Sequence, residues 1–239
     1  MPSNFDMAGM SYKFILFDLD DTLLDFKASE SHALNTCWEL FFKDAISLEV
    51  YTRTFHQINR GIWREVESGK LKPPHVSYER ARRTLKHVGL PVRNAEELGA
   101  RFAFSLGQVA QWLPDAKDSF RNIASRYDVG LITNGLTAVQ HPRVDSMGIR
   151  PVLKTFQISE EAGTMKPKAR LFERALVEAG YSNQDTLMVG DSVTSDFQGA
   201  INSKIDFCWV KPNAHPLTFG FPKPKFHISS LNELDSILS

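Results

Sequence analysis

Cysteine is nearly absent. Cys37 and Cys208 are the only two in 239 residues, far apart and each among apolar neighbours, a pattern of reduced core filling rather than of a disulfide framework. The seven histidines fall at no spacing that would build a zinc site with them. No two glycines stand as Gly-x-Gly, which excludes Walker and dinucleotide-binding loops. No apolar run approaches the ~18 residues of a membrane span, and Met1 to Met10 lack the basic start and apolar run of a secretion signal. Secretion and membrane spanning are not expected, and the expected location is cytoplasmic.

Net charge is missing too. With 28 basic and 28 acidic residues there is no basic excess to hold nucleic acid or an anionic membrane, so neither is an expected partner. The balance is uneven only locally: residues 26–112 carry 13 Lys/Arg against 9 Asp/Glu, a weak preference for anions. The 42% hydrophobic and 23% charged content is that of a soluble globule. Its length suits one core domain with an insertion, or two small domains.

What is present begins at Phe14-Ile15-Leu16-Phe17-Asp18-Leu19-Asp20-Asp21-Thr22, where an apolar run ends in three carboxylates. Two carboxylates at ~4 to 6 Å repel by roughly 1 to 4 kcal/mol depending on the local dielectric, so a buried strand end that collects them needs a cation or a proton. An acidic turn after an edge strand is the plain alternative. A calcium loop is not, because glycine at its sixth position and glutamate at its twelfth are replaced by Leu23 and Ser29.

The hydrophobic period predicts a strand over 12–17 with Asp18 at its carboxyl end, then helices from about Ala28, over Leu48 to Glu67, Ser77 to Val88 and Ala95 to Gln111. From residue 113 the texture alternates. A helix over 115–126 precedes a strand over 128–132 ending at Thr133-Asn134-Gly135, and a helix over 137–147 follows. A strand near 155–158 leads to Ser159-Glu160-Glu161 and Lys166-Pro167-Lys168. Pro167 suits a first helical position and Gly180 a helix end. A strand over 186–189 ends at Gly190-Asp191-Ser192, and Thr194 is available to cap a helix over 194–203. A strand over 205–210, a Pro-rich loop from Pro212 to Pro224, a strand near Lys225 to Ile228 and a last helix close the chain. Alternation of this kind implies a parallel sheet, and Asp18, Thr133 and Asp191 at successive strand ends would converge on one edge.

In this order the chain resembles the haloacid dehalogenase-like hydrolases through all four of that superfamily's motifs. Phe17 to Thr22 looks like the first, Leu131 to Gly135 the second, Met165 to Lys168 the third and Gly190 to Asp196 the fourth. The resemblance implies an α/β fold, a Rossmann-like parallel sheet core over 1–25 and 113–239 with an inserted helical cap domain over 26–112. Local phrases are similar to the house-cleaning pyrimidine 5′-nucleotidase subgroup: Asn59 with Trp63, Ile132 to Leu136, Ile158 to Glu161, and Phe207-Cys208-Trp209. His141-Pro142, which interrupts a helical pattern, and Ser203-Lys204, where relatives carry Ala-Gly, depart from it.

The resemblance implies a Mg²⁺-dependent phosphomonoesterase acting through an aspartyl phosphate. Asp18 would attack phosphorus, and Asp20 would protonate the leaving oxygen and then activate water. That second role needs a raised pKa, which neighbouring carboxylates tend to produce. Asp18, Asp191 and the Asp20 backbone carbonyl would hold magnesium. Lys166 and the Thr133 hydroxyl, with backbone amides at Leu19 and Asn134, would bind the phosphoryl oxygens. Asp196 would hold Lys166 or a metal-bound water. Trp63, Arg60 and Arg80 are the cap side chains named for the substrate. Relatives that dehalogenate lack an acid at position 20. The expected partner is a small phosphorylated metabolite, a nucleotide by resemblance, acted on by a monomer or homodimer. Phosphatases for sugar phosphates, phosphonate hydrolases and a non-catalytic binding module are the alternatives on the same scaffold.

Overall fold

The computed structural model describes residues 12–211 and 220–238. Its centre is β1 (Phe14–Phe17), four side chains buried on both faces. Next come α1 (Phe26–Phe41), α2 (Leu48–Glu67), α3 (Val76–His87) and α4 (Ala95–Gly107) with no strand between them. Asp25 and Ser47 open α1 and α2 by accepting from the amides of Ala28 and Val50, each satisfying a donor that a helix start leaves free.

The alternating part follows: α5 (Ala116–Ala124), β2 (Asp128–Thr133), α6 (Thr137–Met147), β3 (Leu153–Ile158), α7 (Ser159–Ala162), α8 (Ala169–Ala179) and β4 (Thr186–Gly190). It ends with α9 (Gln198–Ser203), β5 (Asp206–Val210), β6 (Phe226–Ile228) and α10 (Leu234–Leu238). The six strands run β3-β2-β1-β4-β5-β6, and every neighbouring pair is parallel. The chain leaves β1 toward β2 on one side and returns to β4 on the other, so a crevice opens at the carboxyl end of β1, where ligands bind in sheets of this order. Asp18 stands there.

The two connections between sheet and helices run side by side. Leu24 bridges Trp112, and the Asp25 amide donates to the Gln111 carbonyl at 2.8 Å. The apolar cluster of α1 to α4 also takes in Leu136, Val139 and Met165 from the sheet side, so the helices rest on the loop and helix that follow β2.

Several local expectations need correcting. Helix α6 runs unbroken through Pro142, and the bond this proline cannot make leaves the Ala138 carbonyl facing α4 at Gly107, where a side chain would lie 3.3 Å from it. Helix α8 starts at Ala169 with Lys168 before it, so Pro167 is not its first residue. Ser192, not Thr194, caps the fourth motif, because Val193–Phe197 forms a wider π-helical turn before α9. Lys204 takes the left-handed conformation, φ 56°, that a glycine would adopt at the end of α9, and the crossing to β5 forms regardless. Part of the Pro-rich stretch, 212–219, lies outside the described residues. Cys37 and Cys208 are both buried and unpaired. No helix among the described residues is long and apolar enough to cross a membrane.

Candidate active site

Asp18 is 6% exposed at the end of β1, and its Oδ1 accepts from Lys166 Nζ at 2.5 Å. The lysine, 2% exposed, spends its other two donors on Asp196 Oδ1 at 2.7 Å and the Ile132 carbonyl at 3.1 Å. An ammonium has three donors, so its position is fully specified. Burial alone would lower Lys166, but the Asp18 and Asp196 carboxylates outweigh it and keep the ammonium protonated above its ordinary range. Burial, followed by the charge of Asp196, pushes Asp18 well above the usual carboxylate range while Lys166 pulls it back. Burial and Asp196 likewise push Asp191 up to about 7.

The fourth motif places its two aspartates differently. Asp196 sits in the π turn with Oδ2 accepting from the Ser192 amide at 3.0 Å. A side chain on Gly190 would collide with that oxygen at 2.5 Å, so glycine at the end of β4 is what lets Asp196 reach Lys166. The Asp191 backbone is held from β5, where Trp209 Nε1 donates to its carbonyl at 2.8 Å. Carboxylate oxygens of Asp18, Asp191 and Asp196 lie within 4.8 Å of one another. Three carboxylates face one buried ammonium, with Lys211 more distant at 3.5 Å from Asp191. An all-oxygen donor set with surplus negative charge fits a hard divalent cation such as magnesium. Because both Asp196 oxygens are already engaged, Asp18 and Asp191 are the ones left to hold it.

The second and third motifs are fastened to each other. Asn134 Oδ1 accepts from the Lys166 amide at 2.9 Å, and its Nδ2 donates to the Lys166 carbonyl at 3.0 Å. Thr133, 1% exposed, accepts from Gln140 Nε2 at 2.8 Å, which leaves its hydroxyl proton free for another acceptor. Ser159 Oγ accepts from the Gly135 amide and Glu160 Oε2 from the Thr137 amide, at 3.1 and 2.7 Å, so the Ser159-Glu160 phrase caps the start of α6. Leu19 is buried, its carbonyl accepting from the amides of Leu23 and Leu24.

Two side chains absent from the sequence reading complete the site. Arg143, fully buried, lies 2.6 Å from Asp20 Oδ1 as an ion pair, and Gln140 Nε2 donates to Asp20 Oδ2 at 3.0 Å. A cation and an amide therefore contact Asp20 directly. Arg143 also donates to Gln140 Oε1, to Ser29 Oγ in α1 and to the Val109 carbonyl after α4. It ties Asp20 to both connections with the helical block. The signal was present in α6: Gln140 and Arg143 share the buried stripe of Val139, Val144 and Met147, and a charge inside an apolar stripe needs a partner. Arg143→Met is expected to lower stability by about 1–3 kcal/mol, since it strands the buried Gln140 amide oxygen and takes the cation from Asp20, while the Val109 carbonyl keeps Ser29 Oγ. Urea denaturation measures it, and an unchanged midpoint would mean that water replaces all these bonds.

Of the cap residues, Trp63 and Arg80 line a cavity whose other wall carries Asp20 and Asn134. Arg60 is not brought there. It is exposed and lines a separate outer groove with Glu49, Thr52 and Arg53.

A sequence model of the haloacid dehalogenase-like hydrolases matches residues 12–204. The chain belongs to that family. Among its relatives it is 35% identical to the pyrimidine 5′-nucleotidase PynA of Streptococcus pneumoniae, over 94% of both chains. It is 26% identical to the pyrimidine 5′-nucleotidase YjjG of Escherichia coli, over 96% of this chain and 99% of that one. The crystal structure of the HAD-hydrolase YfnB of Bacillus subtilis, solved with magnesium and reported to reveal interdomain movement, superposes with a TM-score of 0.82. It is 31% identical, covering 95% of this chain and 99% of that one. A hydrolase of this family needs a nucleophile, charge compensation and a proton carrier at one place. The loop after β1 and the segment between α7 and α8 bring Asp18 and Lys166 into contact, with Asp20 two residues on.

Proposed function

We propose that this phosphoric monoester hydrolase removes phosphate from nucleoside 5′-monophosphates, pyrimidine ones in particular, through an aspartyl phosphate on Asp18. The observation that carries the chemistry is the buried Asp18 carboxylate between Lys166 and Asp191, with Asp20 two residues on, gripped by Arg143 and Gln140. The substrate class is supported by likeness to two pyrimidine 5′-nucleotidases along nearly the whole chain.

Asp18 and Asp191, with the Asp20 backbone carbonyl, would hold magnesium, which supplies positive charge that lets a phosphate dianion approach a carboxylate. Asp18 attacks phosphorus in line, and the bond to the 5′ oxygen breaks as Asp20 gives that oxygen a proton. Lys166 and the Thr133 hydroxyl, with the Leu19 and Asn134 amides, stabilise the charge on the transferred oxygens. Asp20 then takes a proton from the water that cleaves the aspartyl phosphate, restoring Asp18 and releasing phosphate. Asp196 keeps Lys166 in place.

Residues 26–112 act as the cap. Its helices would open for substrate and close over it to exclude water, as mobile lids do. The unpaired cysteines suit a cytoplasmic enzyme.

A panel of phosphate esters assayed with magnesium tests the substrate class. UMP and CMP are expected to exceed hexose phosphates in kcat/KM, and a preference for hexose phosphates would overturn it. Asp20→Asn is expected to slow phosphorylation by alkyl phosphates more than by aryl phosphates, because only a basic leaving oxygen needs a proton in the transition state. Rapid-quench rates across leaving groups measure this, and equal losses would assign Asp20 a structural role.

A further inference from the structure

Helix α3 carries three arginines and treats them differently. Arg82 and Arg83, nearer the surface, are paired with carboxylates of Glu79 and Glu65. Arg80, only 6% exposed, makes no ion pair among the described residues. Its guanidinium lies between two rings, 5.2 Å from the centroid of Phe55 and 4.4 Å from that of Phe102. Among the described residues its one hydrogen bond goes from Nη1 to Asn59 Oδ1 at 3.1 Å. Burial pushes it down to about 10. Glu30 offsets part of this from beyond ion-pair distance, but a buried cation without a direct counter-ion is costly, and ring faces recover only part of that cost. Arg80 lines the cavity that Asp20 and Asn134 bound from the other side.

The same cavity limits what those donors can meet. Glu30 is on its wall, held by His56 at 3.0 Å, and would repel a second phosphate or a carboxylate brought to Arg80. Trp63, only partly buried, offers flat apolar surface. A neutral, planar ring bearing a carbonyl satisfies all three: a face meets Trp63, its oxygen accepts from the guanidinium, and a ring N–H or amino group can donate toward Glu30. Uracil, cytosine and thymine share such a carbonyl at ring position 2, while adenine has none and guanine carries an amine there.

We propose that Arg80, steadied by Asn59 and the Phe55–Phe102 pair, is the specificity-determining residue that donates to the 2-carbonyl of a pyrimidine base. This rests on the nucleotidase reading of the site and names the group within it that selects the base.

The test compares kcat/KM for UMP, 2-thio-UMP and ribose 5-phosphate in the wild type, Arg80→Met and Arg80→Lys. A thiocarbonyl is a poorer acceptor, so the wild type is expected to lose about tenfold or more from UMP to 2-thio-UMP, the range of a charge-assisted hydrogen bond. Arg80→Met is expected to show little difference between those two and a UMP to ribose 5-phosphate ratio reduced by a similar factor. Arg80→Lys is expected to fall between, having lost the fork but kept a donor. Equal wild-type rates for UMP and 2-thio-UMP, or a full difference persisting in Arg80→Met, would overturn the assignment while leaving the nucleotidase reading intact. A wild type that hydrolyses ribose 5-phosphate as well as UMP would overturn both. Equal wild-type rates overturn the assignment without any variant, and where Arg80→Met fails to fold, Arg80→Lys supplies the comparison.

Discussion

Asp18→Asn is expected to reduce turnover by at least about a thousandfold while the fold persists. An amide is a poor nucleophile and a neutral, weaker metal ligand, so one substitution removes two functions; a loss of ~4 kcal/mol in transition-state stabilisation corresponds to that factor. The position tolerates the change structurally, because Lys166 keeps the Asp196 carboxylate and the Ile132 carbonyl as partners. The asparagine oxygen can still accept from Lys166. Single-turnover rates with UMP measure the effect. Substantial activity, with wild-type contamination excluded, would mean that Asp18 is not the attacking group.

Removal of magnesium is expected to be equally severe. Asp18, Asp191 and Asp196 crowd within 4.8 Å, and burial pushes both Asp18 and Asp191 upward. Without a cation the crowded carboxylates repel an incoming phosphate dianion, and the single ammonium of Lys166 cannot offset them. Exhaustive chelation should abolish UMP hydrolysis and added magnesium should restore it. Full activity in the chelated enzyme would contradict the metal assignment.

Much of this was legible because the sheet repeats one device. A short apolar run followed by a polar residue occurs at Asp18, Thr133 and Asp191, and a parallel sheet aligns its carboxyl ends, so sequence order alone brought those residues to one edge. Lys166 was legible only as part of a motif. Nothing in Met165-Lys166-Pro167 says that the ammonium will be buried between two carboxylates, and Gly190 shows why it can be: Asp196 needs the space that a side chain there would fill.

Arg143 and Gln140 escaped because helical periodicity marks which face is buried, not which polar side chains on that face reach across to another segment. Arg143 meets Asp20, 123 positions earlier in the chain, and Val109 and Ser29 besides, partners that no local spacing encodes. Arg60 and Arg80 show the same limit within the helical block. One faces an outer groove and the other the cavity, and only the packing of α2 against α3 separates them. Thr194 lost its expected capping role to Ser192 because the π turn at Val193–Phe197 adds a residue to the ring of hydrogen bonds, which apolar patterning does not register.

The most direct test of the account is a rapid-quench experiment with UMP carrying a labelled phosphate, followed by acid quench and peptide mapping. An acid-stable, base-labile phosphate is expected on the peptide containing Asp18, formed at a rate no slower than turnover. UMP hydrolysis at full rate with no label on Asp18 at any time would contradict it.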